Sequence, residues 1–292
     1  MHRILYNPRG ELRSGWKVLG FVLLLVVVGK GLSLVARAVP IVGTLLRRSG
    51  AWSEAAVGAA VSALCLVLEG RHPLDFGLRF NRRWLVEFLA GAGGGVLLLV
   101  AIALAVRGTG AFHWVRDPAI GPWQLVSWLG FYLGVGFNEE ILVRGYVFQR
   151  LARGGLGVAG TQLLLALFFA AGHWGNPNNE GVYRAWATLN IALAALLLGF
   201  AMLRTGSLAL PIGIHLGWNW TQGTLLGFNV SGTTSPGWWS PVLDPARPAW
   251  VHGGAFGLEA TLACAILCGL AILLLAWWKG TAARMEARPE HP

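Results

Sequence analysis

Long apolar segments, separated by short polar ones, constrain this chain more than any other feature. There are eight of them, at about 16–38, 52–70, 84–106, 122–151, 156–174, 184–204, 207–228 and 255–278. A helix needs roughly 20 apolar residues to cross a bilayer, and each segment meets or nearly meets that length. Only 12% of the residues are charged, which is well below the share in soluble domains. The sequence therefore predicts an all-α polytopic membrane protein with about eight transmembrane helices.

Two of these segments depart from a simple span. Segment 122–151 is too long for one straight crossing, so we expect it to tilt, kink or continue along the membrane surface. Segment 156–174 is short and ends at the polar stretch 176–180. The glycine-rich run 91–95 opens an apolar helix without a strand before it, which favours close helix packing over phosphate binding.

The basic residues predict the orientation of the chain in its membrane. Net charge is +10, but the Lys and Arg residues lie between apolar segments, which argues against a nucleic-acid partner. With the N-terminus inside, fifteen of them fall on the inner side, seven fall on the outer side, and Lys30 lies within the first span. The positive-inside rule then predicts that both termini lie in the cytoplasm. The Gly-, Ala- and Trp-rich helices and the short loops favour a multi-pass protein of the plasma membrane of a bacterial cell. The first helix is expected to be retained and not cleaved as a signal peptide.

The segments divide the chain into three parts. Residues 1–121 contain N-terminal transmembrane helices, residues 122–228 form a core that carries the polar residues described below, and residues 229–292 comprise a loop and the last transmembrane helix. That loop contains Trp238, Trp239 and Trp250. Because tryptophans are enriched at membrane interfaces, we interpret them as interfacial anchors.

Polar residues inside apolar segments mark a candidate site. Glu139 and Glu140 lie in the fourth segment, His173 closes the fifth, and His215 and Asn219 lie in the seventh. An ionised side chain at the bilayer centre costs a few kcal/mol even by the lower estimates, and such groups usually face one another or a polar cavity. We therefore expect a polar intramembrane site built from several helices.

The spacing of these residues gives the two glutamates different surroundings. Arg144 follows Glu140 by four residues, so the two side chains can pair on one helix face. Glu139 points about 100° away, and no basic residue follows it by three or four positions. His215 and Asn219, four residues apart, share a face of their helix.

These residue types are sufficient for hydrolysis of an amide by water. A carboxylate can take a proton from water as general base, and a histidine can share or relay it. A His and an Asn on one face can donate hydrogen bonds to an oxyanion. The sequence has neither a nucleophile-elbow serine or cysteine nor an H-E-x-x-H motif. A structural role for each residue taken singly is the simpler alternative.

The three polar segments resemble, in their order, the motifs of the CAAX-protease and bacteriocin-processing family of intramembrane endopeptidases, also called the Abi family. That family carries E-E-x-x-x-R, F-x-x-x-H and H-x-x-x-N/B on separate helices. The matching residues here are Glu139, Glu140 and Arg144, then Phe169 and His173, then His215 and Asn219. The resemblance covers about residues 122–228, and no motif position is missing.

The resemblance implies a glutamate-dependent intramembrane endopeptidase that acts on membrane-tethered or lipidated peptides in contact with membrane lipid. It implies that Glu139 activates water, that His173 assists, and that His215 and Asn219 hold the oxyanion. Glu140 and Arg144 would brace the site.

Alternatives to this interpretation stay open. We favour a metal-free mechanism without a cofactor, and the alternative is Zn²⁺ held by Glu139, His173 and His215. The rival functions are a non-catalytic bacteriocin immunity or scaffold protein and a proton-coupled transporter, since buried acidic and histidine side chains also suit proton relays.

Overall fold

The computed structural model describes residues 2–8 and 10–282, and most of them are helical. The α-helices are α1 His2–Leu5, α2 Ser14–Ala38, α3 Pro40–Ser49, α4 Ala51–Leu68, α5 Arg82–Gly108, α6 Pro122–Glu140, α7 Tyr146–Ala152, α8 Gly157–Gly172, α9 Gly181–Thr205, α10 Ala209–Trp220, α11 Ala249–His252 and α12 Leu262–Trp277. Two π-helical segments, Ile141–Gly145 and Thr221–Leu225, follow α6 and α10 directly. A 3₁₀ turn at Leu258–Ala260 precedes α12.

Six of the eight predicted segments coincide with one of these helices or with a helix and its π-helical continuation. Segment 122–151 comprises α6, a π-helical segment and α7, and segment 255–278 comprises the 3₁₀ turn and α12. Within the described residues, α2, α4, α5 and α9 are long and apolar enough to cross a membrane, and α8 and α12 are shorter apolar helices. Only 6% of the most apolar window of α2 is buried inside the protein. Such an apolar surface needs lipid around it, so the predicted all-α polytopic membrane class is confirmed.

Helix ends follow from local sequence signals. Asn81 precedes α5, and its side-chain oxygen accepts a hydrogen bond from the backbone N–H of Trp84 at 2.9 Å. Thr261 caps α12 in the same way, accepting from the backbone N–H of Cys264 at 3.1 Å. Each cap satisfies one of the backbone donors that the first turn of a helix leaves without a partner.

Two elements differ from the sequence-based expectation. Helix α3 occupies the connection between the first two segments. Strand β1 (Phe112–Arg116) pairs antiparallel with strand β2 (Trp239–Leu243), which joins two loops far apart in the sequence. Trp238 belongs to the predicted interfacial loop, and its ring centre lies 3.7 Å from the guanidinium of Arg116 at the end of β1. Trp239 is exposed, and its role as an anchor at the membrane interface stays a prediction.

The described residues group into two compact units. The first unit comprises Met1–Arg79 and Leu133–Leu165, and the second comprises Phe80–Tyr132 and Ala166–Pro292. This grouping follows contacts in space, so the division into 1–121, 122–228 and 229–292 stays a prediction. Arg9, Arg284 and Arg288, which contribute to the predicted orientation, lie outside the described residues.

In the first unit, α4 packs along the end of α6 and the π-helical segment after it. The Trp52 ring covers Gly134, where an added Cβ atom would come within 2.9 Å of the indole. One and a half turns further along α4, Gly58 faces the Leu142 side chain. Small residues therefore let α4 approach the part of the chain that carries the Glu-Glu motif.

In the second unit, α5 and α10 cross at a contact made by glycines on both helices. The four residues are Gly91 and Gly95 on α5 and Gly213 and Gly217 on α10. A Cβ atom added at any of them would lie only 2.1–2.3 Å from a carbonyl oxygen of the other helix. Only glycine permits this approach, so the predicted packing role of the 91–95 run is confirmed.

Candidate active site

Glu140 and Arg144 form a buried ion pair in the first unit. The Arg144 Nη1 donates to Glu140 Oε1 at 2.7 Å. Their side chains are 0% and 2% exposed, respectively. The predicted pairing of these two residues is thus confirmed, and it holds two opposite charges inside an apolar bundle where each stabilises the other.

The π-helical segment Ile141–Gly145 begins immediately after this motif's glutamates. A π-helical turn holds one more residue than an α-helical turn, is rare, and occurs often at functional sites. It also divides the long fourth segment into α6 and α7. The segment is therefore not one uninterrupted α-helix, and its expected tilt, kink or path along the membrane surface stays a prediction.

Glu139 lies on the last turn of α6 and is half-buried. Its neighbour Asn138 donates from the side-chain amide to Glu54 Oε2 at 2.8 Å. Because Glu54 belongs to α4, this hydrogen bond fixes the end of α6 beside Glu139.

A second polar cluster supports the same region. Glu69, the residue after α4, accepts from Tyr146 Oη at 2.5 Å, and its other oxygen lies 3.0 Å from Arg150 Nη1. Lys17 Nζ from α2 lies 3.4 Å from that same oxygen. These contacts tie α7 to α2 and α4 just beyond the motif. The motif pattern did not include the residues of this cluster. The only signal for them in the sequence was that charged residues lie beside the apolar segments.

His173 lies in the turn directly after α8, one residue beyond the helix end. Its Nδ1 is 2.8 Å from the carbonyl oxygen of Phe169, and the two rings pack with centroids 4.8 Å apart. A carbonyl oxygen can only accept, so Nδ1 carries the proton and the lone pair of the neutral ring is on Nε2. The F-x-x-x-H spacing thus orients the imidazole.

His215 and Asn219 lie one turn apart on α10 in the second unit, and both are buried. The helix is regular between them, so the four-residue spacing sets their side chains on one face. Gly213 and Gly217 on the same helix make the close contact with α5. This crossing fixes the helix that carries both residues.

Glu259, on the 3₁₀ turn before α12, lies in a network that the motif pattern did not include. Its Oε1 accepts from Trp218 Nε1 at 3.2 Å and from Ser231 Oγ at 3.1 Å. Its Oε2 accepts from Gln222 Nε2 at 2.9 Å and from the backbone N–H of Ser231 at 2.6 Å. One acidic residue inside the apolar segment 255–278 was the only signal in the sequence.

The structure brings together the residues of each motif. Glu140 contacts Arg144, Phe169 contacts His173, and His215 and Asn219 share α10. The Glu-Glu motif belongs to the first unit and the two histidine motifs belong to the second. Convergence of all three motifs on one cavity stays a prediction.

Catalytic zinc sites usually have three protein ligands. Among residues 2–8 and 10–282, no group of three or more His, Cys, Asp or Glu side chains could hold a metal ion. The proposed zinc ligands belong to different units, since Glu139 lies in the first and His173 and His215 lie in the second. The choice between a metal-free and a zinc mechanism therefore stays open, and no step below passes through a metal.

Comparison with known proteins identifies the central part of the chain. Residues 121–221 match the family model of the Rce1-like type II CAAX prenyl endopeptidase. The match covers about a third of the chain and contains all six candidate site residues. No curated protein and no solved structure matches the chain. Residues 121–221 are thus similar to the Rce1-like family, in agreement with the motif resemblance.

Proposed function

We propose, from the similarity of residues 121–221 to the Rce1-like family, that the protein is an intramembrane endopeptidase in which Glu139 activates water to cleave membrane-tethered or lipidated peptides. The observation that carries the proposal is the family match, because it contains the three motifs complete and in order. The family is one of membrane proteases, and the apolar helices of this chain suit that setting. The glutamate-dependent mechanism and the substrate class are our proposal.

The two adjacent glutamates differ in a way that assigns the base. The Glu140 carboxylate is fully buried and bonded to Arg144, so water does not reach it. Glu139 is half-buried and can meet both water and substrate. A general base must lie within hydrogen-bond reach of the proton that it takes, and of the two carboxylates only that of Glu139 has exposed surface from which to reach water.

The proposed reaction needs no covalent enzyme intermediate. Glu139 takes one proton from water while the water oxygen forms a bond to the scissile carbonyl carbon. The carbonyl π electrons move to the oxygen, which becomes an oxyanion. An electron pair of the oxyanion then re-forms the carbonyl bond as the C–N bond breaks, and the pair from the C–N bond leaves with the nitrogen, which receives the proton that Glu139 had taken. The products are a carboxylic acid and an amine.

The second unit supplies the other proposed roles. The side chains of His215 and Asn219 share one face of α10 and can donate hydrogen bonds to one oxygen. His173 has its Nδ1–H bonded to Phe169, so Nε2 is available to accept a hydrogen bond from the attacking water. Loss of an oxyanion donor typically costs about 10²–10³ in kcat.

The test is hydrolysis of a prenylated, membrane-tethered peptide by purified protein in detergent. We expect Glu139→Gln to fold normally and to cleave the peptide at least about 10²–10⁴ times more slowly than the wild-type protein, because that factor is the usual contribution of a general base. Glu180→Gln is the matched control, because Glu180 is an exposed carboxylate within the same matched segment and its side chain caps no backbone N–H of α9. Added chelator should leave the wild-type rate unchanged.

Three results would contradict parts of the proposal. Full activity of Glu139→Gln would remove the base. Loss of activity with chelator, restored by Zn²⁺, would favour the metal mechanism. Absence of hydrolysis by a folded wild-type protein, across prenylated and unmodified tethered peptides, would favour the non-catalytic immunity or scaffold function.

A further inference from the structure

Glu259 lies outside the matched segment 121–221, yet its carboxylate is bonded directly to Trp218 on α10 and, through Ser231, is linked to the turn that carries His173. We infer that Glu259 is a positioning residue that holds the His173 turn and the Asn219 end of α10 in fixed geometry. Its consequence for catalysis rests on the proposed function. The hydrogen bonds on each side of the carboxylate carry the inference.

On one side, Glu259 holds the end of α10. Trp218 precedes Asn219 by one residue, and Gln222 follows it by three, in the π-helical segment. Both donate to the carboxylate, at 3.2 and 2.9 Å. Asn219 is therefore held from both sides by donors that share one acceptor group.

On the other side, Glu259 reaches the His173 turn through Ser231. The backbone N–H and the hydroxyl of Ser231 both donate to the carboxylate. The carbonyl oxygen of Ser231 accepts from Asn176 Nδ2 at 2.9 Å. Asn179 Nδ2 in turn donates to the carbonyl oxygen of His173 at 2.7 Å. The segments 173–179 and 229–233 are thus joined, and Glu259 anchors the second of them.

The 3₁₀ turn that carries Glu259 is held in place by a residue of α9. Asn190 is buried, and its side-chain amide donates to the carbonyl oxygens of Glu259 and Thr261 at 2.8 and 2.9 Å. The backbone of the 3₁₀ turn therefore stays in place independently of the carboxylate. This separates two roles, because Asn190 holds the turn and the Glu259 side chain holds the site segments.

The carboxylate is chemically specific at this position. Four donors occupy its two oxygens, two on each, which is the full acceptor capacity of an ionised carboxyl group. Glutamine has nearly the same shape but replaces one oxygen with an NH₂ group. At least one of the four donors would then face another donor, since only the Ser231 hydroxyl can also accept, so Glu259→Gln breaks the network while it preserves the volume.

The experiment compares Glu259→Gln with Asn190→Ala in purified, full-length protein. Hydrogen–deuterium exchange reports the geometry without any need for turnover. We expect Glu259→Gln to raise exchange about tenfold in 173–179 and 229–233, as loss of a hydrogen bond to a charged group implies. Asn190→Ala should raise exchange mainly in 258–262. In the peptidase assay, Glu259→Gln should lower kcat about 10- to 100-fold with KM little changed. Asn190→Ala should lower the melting temperature by a similar amount but should lower kcat less than Glu259→Gln does.

The outcomes separate this inference from the proposed function. Unchanged exchange in both segments would refute the positioning role, whether or not the wild-type protein cleaves peptide. Increased exchange together with unaltered kcat in an active enzyme would also refute it. Increased exchange with no hydrolysis by the wild-type protein would support the structural link and refute only the proposed function. If Glu259→Gln does not fold, Ser231→Ala removes one donor alone and should raise exchange in 173–179 by a few-fold; no change would refute the link.

Discussion

Replacing Gly217 with alanine tests how far the candidate site depends on the crossing of α5 and α10. The new Cβ atom would lie 2.2 Å from the carbonyl oxygen of Ala92 and 3.0 Å from the backbone nitrogen of Val96. Real Cβ atoms essentially never come closer than 3.0 Å to another heavy atom, so the helices must part by about 0.8 Å. The obstructing atoms are backbone and cannot rotate away. Overpacking of this kind typically costs about 1–3 kcal/mol.

The displacement would reach the site, because Gly217 lies between His215 and Asn219 on α10. A misplacement of about 1 Å at catalytic groups can cost on the order of 10²-fold in rate. We therefore expect Gly217→Ala to lower the melting temperature by several degrees and to lower kcat about 10- to 100-fold. The two effects share one cause, which is the forced separation of the helices.

Gly94→Ala is the matched control for this prediction. Gly94 lies on α5 beside the crossing, but an added Cβ atom there meets nothing within 4 Å. Alanine is favoured over glycine in a helix by up to about 1 kcal/mol, so Gly94→Ala should melt at or above the wild-type temperature. The assay is thermal unfolding of both variants in one detergent, followed by peptidase kinetics. Equal melting of Gly217→Ala and Gly94→Ala would refute the close crossing, regardless of activity.

Further predictions concern the ion pair, the orientation and the last helix. Arg144→Met leaves the buried Glu140 carboxylate without its cation, which typically costs about 3–5 kcal/mol; the double change with Glu140→Gln should melt at a higher temperature, and equal melting would contradict the pairing argument. Reporter fusions at both termini should signal cytoplasm, as the basic residues predict, and an external signal from either end would overturn the eight-helix orientation. Thr261→Ala should lower stability by about 1 kcal/mol in thermal unfolding; Thr261→Ser keeps the cap and should restore most of it.

Much of the helical architecture could be predicted because it depends on local patterns. An apolar run of bilayer length has few alternatives to a helix, since lipid offers no hydrogen bonds to the backbone. The Glu140–Arg144 pair follows from a spacing of four residues. The glycine run 91–95 predicted close packing, although its partner helix could not be identified until the structure located Gly213 and Gly217 against it.

Contacts between distant parts of the chain could not be predicted from local patterns. The pairing of β1 with β2 joins segments more than a hundred residues apart. The Glu259 network likewise unites residues from α10, from the loop at Ser231 and from the turn before α12. Each donor is an ordinary polar residue in its own sequence window. Only the fold shows that they share one acceptor.

The two π-helical segments explain a further part of what the sequence could not predict. One begins immediately after Glu140, and the other begins two residues after Asn219. An extra residue in a turn rotates the following side chains away from the face that an uninterrupted α-helix would give them. Arg144, inside the first segment, still reaches Glu140 at 2.7 Å, and Gln222, inside the second, reaches Glu259 at 2.9 Å. In both places the wider turn therefore carries a polar side chain that stabilises a buried carboxylate next to motif residues. Apolar periodicity does not reveal such turns, because each is only five residues long and is too short to show a period of its own.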